Sequence, residues 1–114
     1  MSSITTHVLN TALGIPGSGI TVVVEICQKS NRWSELARGI TDLDGRIGQF
    51  NPALTTLKPG LFRLRFLTKA YFIAMSVHGF YPEIDITVQI DDPAQHYHIP
   101  LLLSPFGYTT YRGS

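Results

Sequence analysis

Ile84-Asp85-Ile86-Thr87-Val88-Gln89-Ile90 alternates without a break, four branched apolar side chains facing one way and three polar ones the other. Successive side chains of a β-strand point to opposite faces, so this stretch predicts a strand with one wet face. Leu61 to Leu67 repeats the pattern, Phe62, Leu64 and Phe66 against Arg63 and Arg65, behind the turn-forming Lys58-Pro59-Gly60. Further out, Thr21 to Cys27 is β-branched enough for another strand, and Gly14-Ile15-Pro16-Gly17-Ser18-Gly19 before it reads as loop. Trp33 to Ile40 and Arg46 to Phe50 flank Thr41-Asp42-Leu43-Asp44-Gly45, whose Asp-Gly step predicts a tight hairpin with Arg46 emerging directly from it. Ile4 to Leu9, His96 to Leu102 and Tyr108 to Arg112 bring the set to about eight strands at short regular spacing, which predicts an all-β sandwich. One helix interrupts them: within Lys69 to Val77, Ala70, Ile73, Ala74 and Val77 fall at i, i+3, i+4 and i+7.

With 114 residues and no repeat, low-complexity tract or linker, a single domain over residues 1–114 is expected. Apolar residues make up 44% and charged residues 15%, which excludes a disordered chain and leaves little charge for a solvated surface. Part of the apolar surface is therefore expected to meet another subunit. Nine Lys and Arg against eight Asp and Glu give a net charge of +1, so no positive field exists to hold nucleic acid or an anionic membrane. The longest uncharged stretches, Ala70 to Pro82 and Ile99 to Tyr111, fall short of the ~20 apolar residues of a spanning helix. Met1 to His7 shows no basic segment followed by an apolar one, so no signal peptide and a cytoplasmic location are expected. Cys27 is the only cysteine, excluding an intrachain disulfide, and its apolar surroundings predict an inert thiol in or near the core.

No Gly-rich phosphate cradle, zinc-ligand spacing or Gly-x-Ser-x-Gly elbow is present. What remains is a set of oddly placed polar groups: His7, Arg46, His96-Tyr97-His98, Arg112 and the Ser114 carboxylate. His7 shares a strand face with Thr5 and Leu9, where a lone histidine is ordinarily a hydrogen-bonded or exposed side chain. Arg46 alone reads as an exposed strand-end charge. His78 follows the helix, where a cation suits a helix C-terminus, and is given no function. His96 and His98 project from the same face and could serve proton transfer, but alternation does not say which of them matters. Ile99 to Tyr108 is too apolar for a free chain end. A self-complementary surface between identical subunits is the expected cover, with Tyr111-Arg112-Gly113-Ser114 beside it.

His96 to Tyr108 followed by Tyr111-Arg112-Gly113-Ser114 closely resembles the closing signature of the transthyretin-like 5-hydroxyisourate hydrolases of purine degradation. Thr5 to Gly14 resembles the family's opening motif, and Thr41 to Arg46 and Phe80 to Ile84 resemble internal ones, so the likeness runs end to end. Two departures stand out, Asn10 where aspartate is usual and Thr109 where serine is common. The resemblance implies a transthyretin-like sandwich of two four-stranded sheets with one short helix. It implies a homotetramer, assembled as a dimer of dimers with active sites in the groove between dimers. The implied reaction opens a small-molecule substrate, 5-hydroxyisourate, to 2-oxo-4-hydroxy-4-carboxy-5-ureidoimidazoline, with no cofactor or metal. By position, the implied catalytic residues are His7, Arg46 and His98, the second histidine of its triplet, with Tyr111, Arg112, Gly113 and Ser114 closing the substrate site. His7 or His98 would take the proton from water, Arg46 would orient the substrate and stabilise the oxyanion, and Arg112 would anchor the tail by ion pairing. A competing reading on the same fold is a carrier of thyroid-hormone-like ligands, which lacks the closing tetrapeptide and the histidines and arginine. For a eukaryotic source, a peroxisomal location would need a route other than a C-terminal Ser-Lys-Leu address.

Overall fold

The computed structural model describes residues 3–54 and 57–114. In chain order it contains β1 (Ser3–Asn10), β2 (Ile15–Pro16), β3 (Thr21–Gln28), β4 (Arg32–Ile40), β5 (Arg46–Ile47), β6 (Gly60–Leu67), α1 (Thr68–Ala74), β7 (Ile84–Ile90), β8 (His96–Ser104) and β9 (Gly107–Thr110). One sheet has the order β4-β3-β6-β7 and is antiparallel throughout. The other has the order β2-β1-β8-β9, with β1 and β8 parallel and β5 also paired to β1. The expected pair of sheets is present, but the second has five strands, because β2 and β5, two residues each, share one edge of β1.

Alternation decides the core. Ile4 and Val8 of β1, Phe62, Leu64 and Phe66 of β6, Ile84, Ile86 and Ile90 of β7, and Ile99, Leu101 and Leu103 of β8 are all buried together. Each such side chain contributes about 1.5–3 kcal/mol by leaving water. On the opposite face of β6, Arg63 pairs with Glu25 at 2.7 Å and Arg65 with Glu83 at 2.9 Å, so these arginines form an ion ladder rather than a basic patch. Cys27 is half-buried. No helix is long and apolar enough to cross a membrane among the described residues.

Several local expectations are corrected. The stretch from Gly14 to Gly19 is not all loop: Ile15 and Pro16 pair with Asn10 and Leu9 at a sheet edge, where proline's missing N–H does no harm. The Asp-Gly step makes no hairpin, since β4 and β5 lie in different sheets and Thr41 to Gly45 carries the chain between them. Buried Thr41 donates from Oγ1 to the Gly17 carbonyl at 2.6 Å and accepts from Ile20 N–H at 2.9 Å. Gly45, at φ +76°, then lies directly on β1: Val8 N–H donates to its carbonyl at 2.7 Å, and a Cβ there would sit 2.4 Å from the Val8 carbonyl oxygen. That contact captures Arg46 and Ile47 for β1. The pairing ends at Ile47, and Phe50 enters the core instead.

The helix starts at Thr68 and buries Thr68, Tyr71 and Phe72, leaving Ile73 65% exposed, the reverse of the expected face. The aromatic rings offer more area than the alanines and take the core. Asn10 Nδ2 donates to Tyr71 Oη at 2.9 Å, and Gly79 lies so close to the Phe72 ring that a Cβ would be 2.4 Å away. The last strand is also shorter than expected, ending at Thr110. The apolar run from Ile99 is covered largely by this chain's own core, because β8 is an interior strand, while Phe106 remains 69% exposed and Tyr108 and Tyr111 are also exposed.

Candidate active site

The parallel register of β1 and β8 sets Ser3 beside His96 and Thr5 beside His98, while β5 on the other edge of β1 sets Arg46 beside His7. Ile4, Thr6 and Val8 point inward, so Ser3, Thr5 and His7 line the outer face of the sheet. Three neighbouring strands thus bring His7, Arg46 and His98 to one patch. A concavity of about 260 Å³ opens there, lined among others by Thr5, Arg46, Gly48, His96, His98 and Ser114. His7 stands beside it rather than in its wall.

Thr5 Oγ1 is hydrogen-bonded to His98 Nδ1 at 2.8 Å and to His96 Nε2 at 3.0 Å, and Ser3 Oγ is hydrogen-bonded to His96 Nδ1. The two imidazoles are nearly parallel, 12° apart in plane with centroids 6.5 Å apart. Behind them the tail returns: Gly113 N–H donates to the His98 carbonyl at 2.8 Å, and a Cβ on Gly113 would lie 2.5 Å from His98 Cδ2. Glycine is what lets the tail lie against the ring. Burial, and then the electrostatic influence of Arg46 and of the neighbouring His96 and His7, hold the His98 imidazole below its ordinary value of 6.5, with a hydrogen bond to the Thr5 backbone acting the other way. At neutral pH His98 is therefore an uncharged base next to a guanidinium. Such a pair can deprotonate water and stabilise an oxyanion. Among the described residues, no three His, Cys, Asp or Glu side chains converge as a metal site requires.

Of the expected site residues, Arg46, His98 and Ser114 line this concavity, with Gly113 paired to His98 and His7 adjoining. Tyr111 and Arg112 do not. They line a second concavity of about 350 Å³ between the edge strands β7 and β9, with Ile86, Val88 and Tyr97. It is the larger of the two but contains no imidazole, and its guanidinium is engaged. Arg112 donates to Gln95 Oε1 at 2.7 Å and lies 4.8 Å over the Tyr97 ring. A hydrogen bond and a cation–π contact anchor the tail in place of the expected ion pair. Ser3 and Thr5 were missed as site residues. Alternation puts them on the face of His7, but only the parallel pairing of β1 with β8 takes them to the two histidines.

Fold and cluster together define a class: a two-sheet β-sandwich with a neutral imidazole and a guanidinium on the outer face of one sheet. The chain belongs to the HIUase/Transthyretin family, whose model matches residues 4–113. It is 44% identical to the probable 5-hydroxyisourate hydrolase of Schizosaccharomyces pombe, an alignment covering 98% of this chain and 91% of that protein. Its fold is similar to the structure of Klebsiella pneumoniae 5-hydroxyisourate hydrolase, with a TM-score of 0.84 and 30% identity over 98% of this chain and 99% of that one. It is equally similar to sea bream transthyretin in complex with thyroxine, with a TM-score of 0.87 and 28% identity over 96% of this chain and 93% of that one. Shape alone does not separate the hydrolase from the carrier; the site must.

Proposed function

We propose that this chain is a 5-hydroxyisourate hydrolase, opening the activated cyclic amide of that small planar molecule with water. The observation that carries the proposal is the uncharged His98 facing the same concavity as Arg46. A space of about 260 Å³ lies just under the ordinary range of small-molecule sites, which begins near ~300 Å³. His98 takes the proton from the attacking water, a step worth ~10²–10⁴ in rate. Its depressed basicity keeps it unprotonated at neutral pH, where it is needed. Arg46 orients the ring and stabilises the oxyanion that forms on the attacked carbonyl, and His7 acts beside it from the paired strand position. Gly113 and Ser114 close the concavity.

The enzyme works as a homotetramer in the cytoplasm, a dimer of dimers in which the exposed Phe106, Tyr108 and Tyr111 meet other subunits. Tyr111 and Arg112 face away from His98 in the single chain, so they reach substrate only through the groove between subunits. The test is the rate at which freshly generated 5-hydroxyisourate disappears in an ultraviolet assay. Loss no faster than the spontaneous background would remove the proposal. The likeness to the thyroxine complex favours a second reading, a carrier. Saturable iodothyronine binding without turnover would establish it.

A further inference from the structure

We propose that Ser3, His96 and Thr5 form a hydrogen-bonded relay that ties the ring tautomer of His98 to the proton order of the whole chain, making Thr5 and His96 positioning residues. The inference rests on the hydrolase reading for its kinetic part only. A threonine hydroxyl has one proton to donate, and Thr5 Oγ1 sits between His98 Nδ1 at 2.8 Å and His96 Nε2 at 3.0 Å. With His96 Nδ1 bonded to Ser3 Oγ, the chain Ser3–His96–Thr5–His98 is linear, and with neutral rings it has two self-consistent orders. In one, His98 Nδ1–H donates to Thr5, the Thr5 hydroxyl donates to His96 Nε2, and His96 Nδ1–H donates to Ser3. This leaves the lone pair of His98 Nε2 as the base. In the other, every donor and acceptor is reversed, and His98 Nε2 carries a proton.

Accepting one proton from water converts the first order into the second. His98 Nε2 gains that proton and Nδ1 releases its own to Thr5. Thr5 passes its hydroxyl proton to His96 Nε2, His96 Nδ1 passes one to Ser3, and Ser3 releases one to solvent. Each group ends neutral, and one proton has passed along the chain from His98 Nε2 to solvent at Ser3. Ser3 and His96 lie at that outer end, and the His96 ring is exposed. An imidazolium at His98 is opposed by burial and by Arg46, so a route that never accumulates that charge suits this ring.

The readout is the tautomer of His98 by nitrogen-15 NMR on the whole protein, together with kcat and KM for 5-hydroxyisourate. The wild type is expected to rest in the first order, His98 protonated at Nδ1 and bare at Nε2, since only that order leaves this ring a base to offer. Thr5→Val, which keeps the shape and removes the hydroxyl, is expected to mix the tautomers and lower kcat by about tenfold or more with KM little changed, the scale of losing a partner that orients a reacting group. His96→Phe should act in the same direction, Thr5→Ser should restore both readouts, and Thr5→Val with His96→Phe should be no slower than Thr5→Val alone. An unchanged tautomer in Thr5→Val, or wild-type kcat in both single variants, overturns the relay. If the wild type fails to open 5-hydroxyisourate, the hydrolase reading falls, while the tautomer change still decides the relay.

Discussion

Adding one methyl group at Gly113 strikes the His98 imidazole and little else. The new Cβ would meet His98 Cδ2 at 2.5 Å, His98 Cγ at 3.2 Å and the His98 carbonyl oxygen at 3.3 Å. Carbon atoms rest about 3.5–4.0 Å apart, so the ring must retreat by roughly 1 Å. The 2.8 Å bond from Gly113 N–H to the His98 carbonyl resists the tail moving away instead. A retreat of that size takes the 2.8 Å bond between His98 Nδ1 and Thr5 out of its present geometry. Misplacing a catalytic group by about 1 Å lowers the rate ~10²-fold. Gly113→Ala is therefore expected to lower kcat about a hundredfold. The backbone there is not left-handed and the residue is not buried, so the melting temperature should move by no more than a few degrees. Initial rates of 5-hydroxyisourate loss, taken with thermal melts on the same samples, measure both. A near wild-type kcat with an unchanged melt would refute the claim that the tail sets the His98 ring.

Three further outcomes follow from the same geometry. His98→Ala should slow turnover by ~10²–10⁴ and Arg46→Ala by ~10²–10³, each with melting close to wild type; rates near wild type would remove these roles. Because the folded protein holds His98 below 6.5, the unfolded chain binds more protons there as pH falls through 6.5, so stability declines on acidification and levels off below the folded value. Urea unfolding between about pH 7.5 and 5 should show a shallower decline in His98→Asn, and an NMR titration of Arg46→Ala should show the His98 midpoint moved upward. Asn10 is buried, donates to Tyr71 Oη at 2.9 Å and accepts from the backbone N–H groups of Ala12 and Leu13 at 3.1 and 3.2 Å. Asn10→Ala should lose about 1–3 kcal/mol by urea titration, whereas Asn10→Asp, which keeps the acceptor and can accept from Tyr71, should lose less.

Much of the sandwich is legible in strands that bury one face, because burial of that face and the period of two are the same fact. Ile84 to Ile90 and Gly60 to Leu67 show it most plainly. What escapes local reading is set by contacts between distant segments. Asp44-Gly45 has the chemistry of a hairpin turn, yet the close approach of Gly45 to Val8 sends the next strand to the other sheet. The helix shows a regular apolar stripe, but Asn10 and Gly79 hold Tyr71 and Phe72 inward instead. The site divides along the same line. His7, Arg46 and His98 stand out through the family resemblance, not through spacing, since alternation gives His96 and His98 equal standing. Thr5 gained its place only from the parallel pairing of the first and eighth strands, residues 93 positions apart. Tyr111 and Arg112 adjoin Gly113 in sequence but face the opposite side of the sandwich edge, because Arg112 is drawn to Gln95 and Tyr97.

Which of the two concavities receives the substrate decides whether His98 and Arg46 can act on it. Crystals of the protein grown with a planar purine-dione that cannot be ring-opened would answer this. Density is expected against His98, Arg46 and Thr5, on the outer face of the sheet. Density seated instead between Ile86, Tyr97 and Tyr111, with the face at His98 unoccupied, would contradict it.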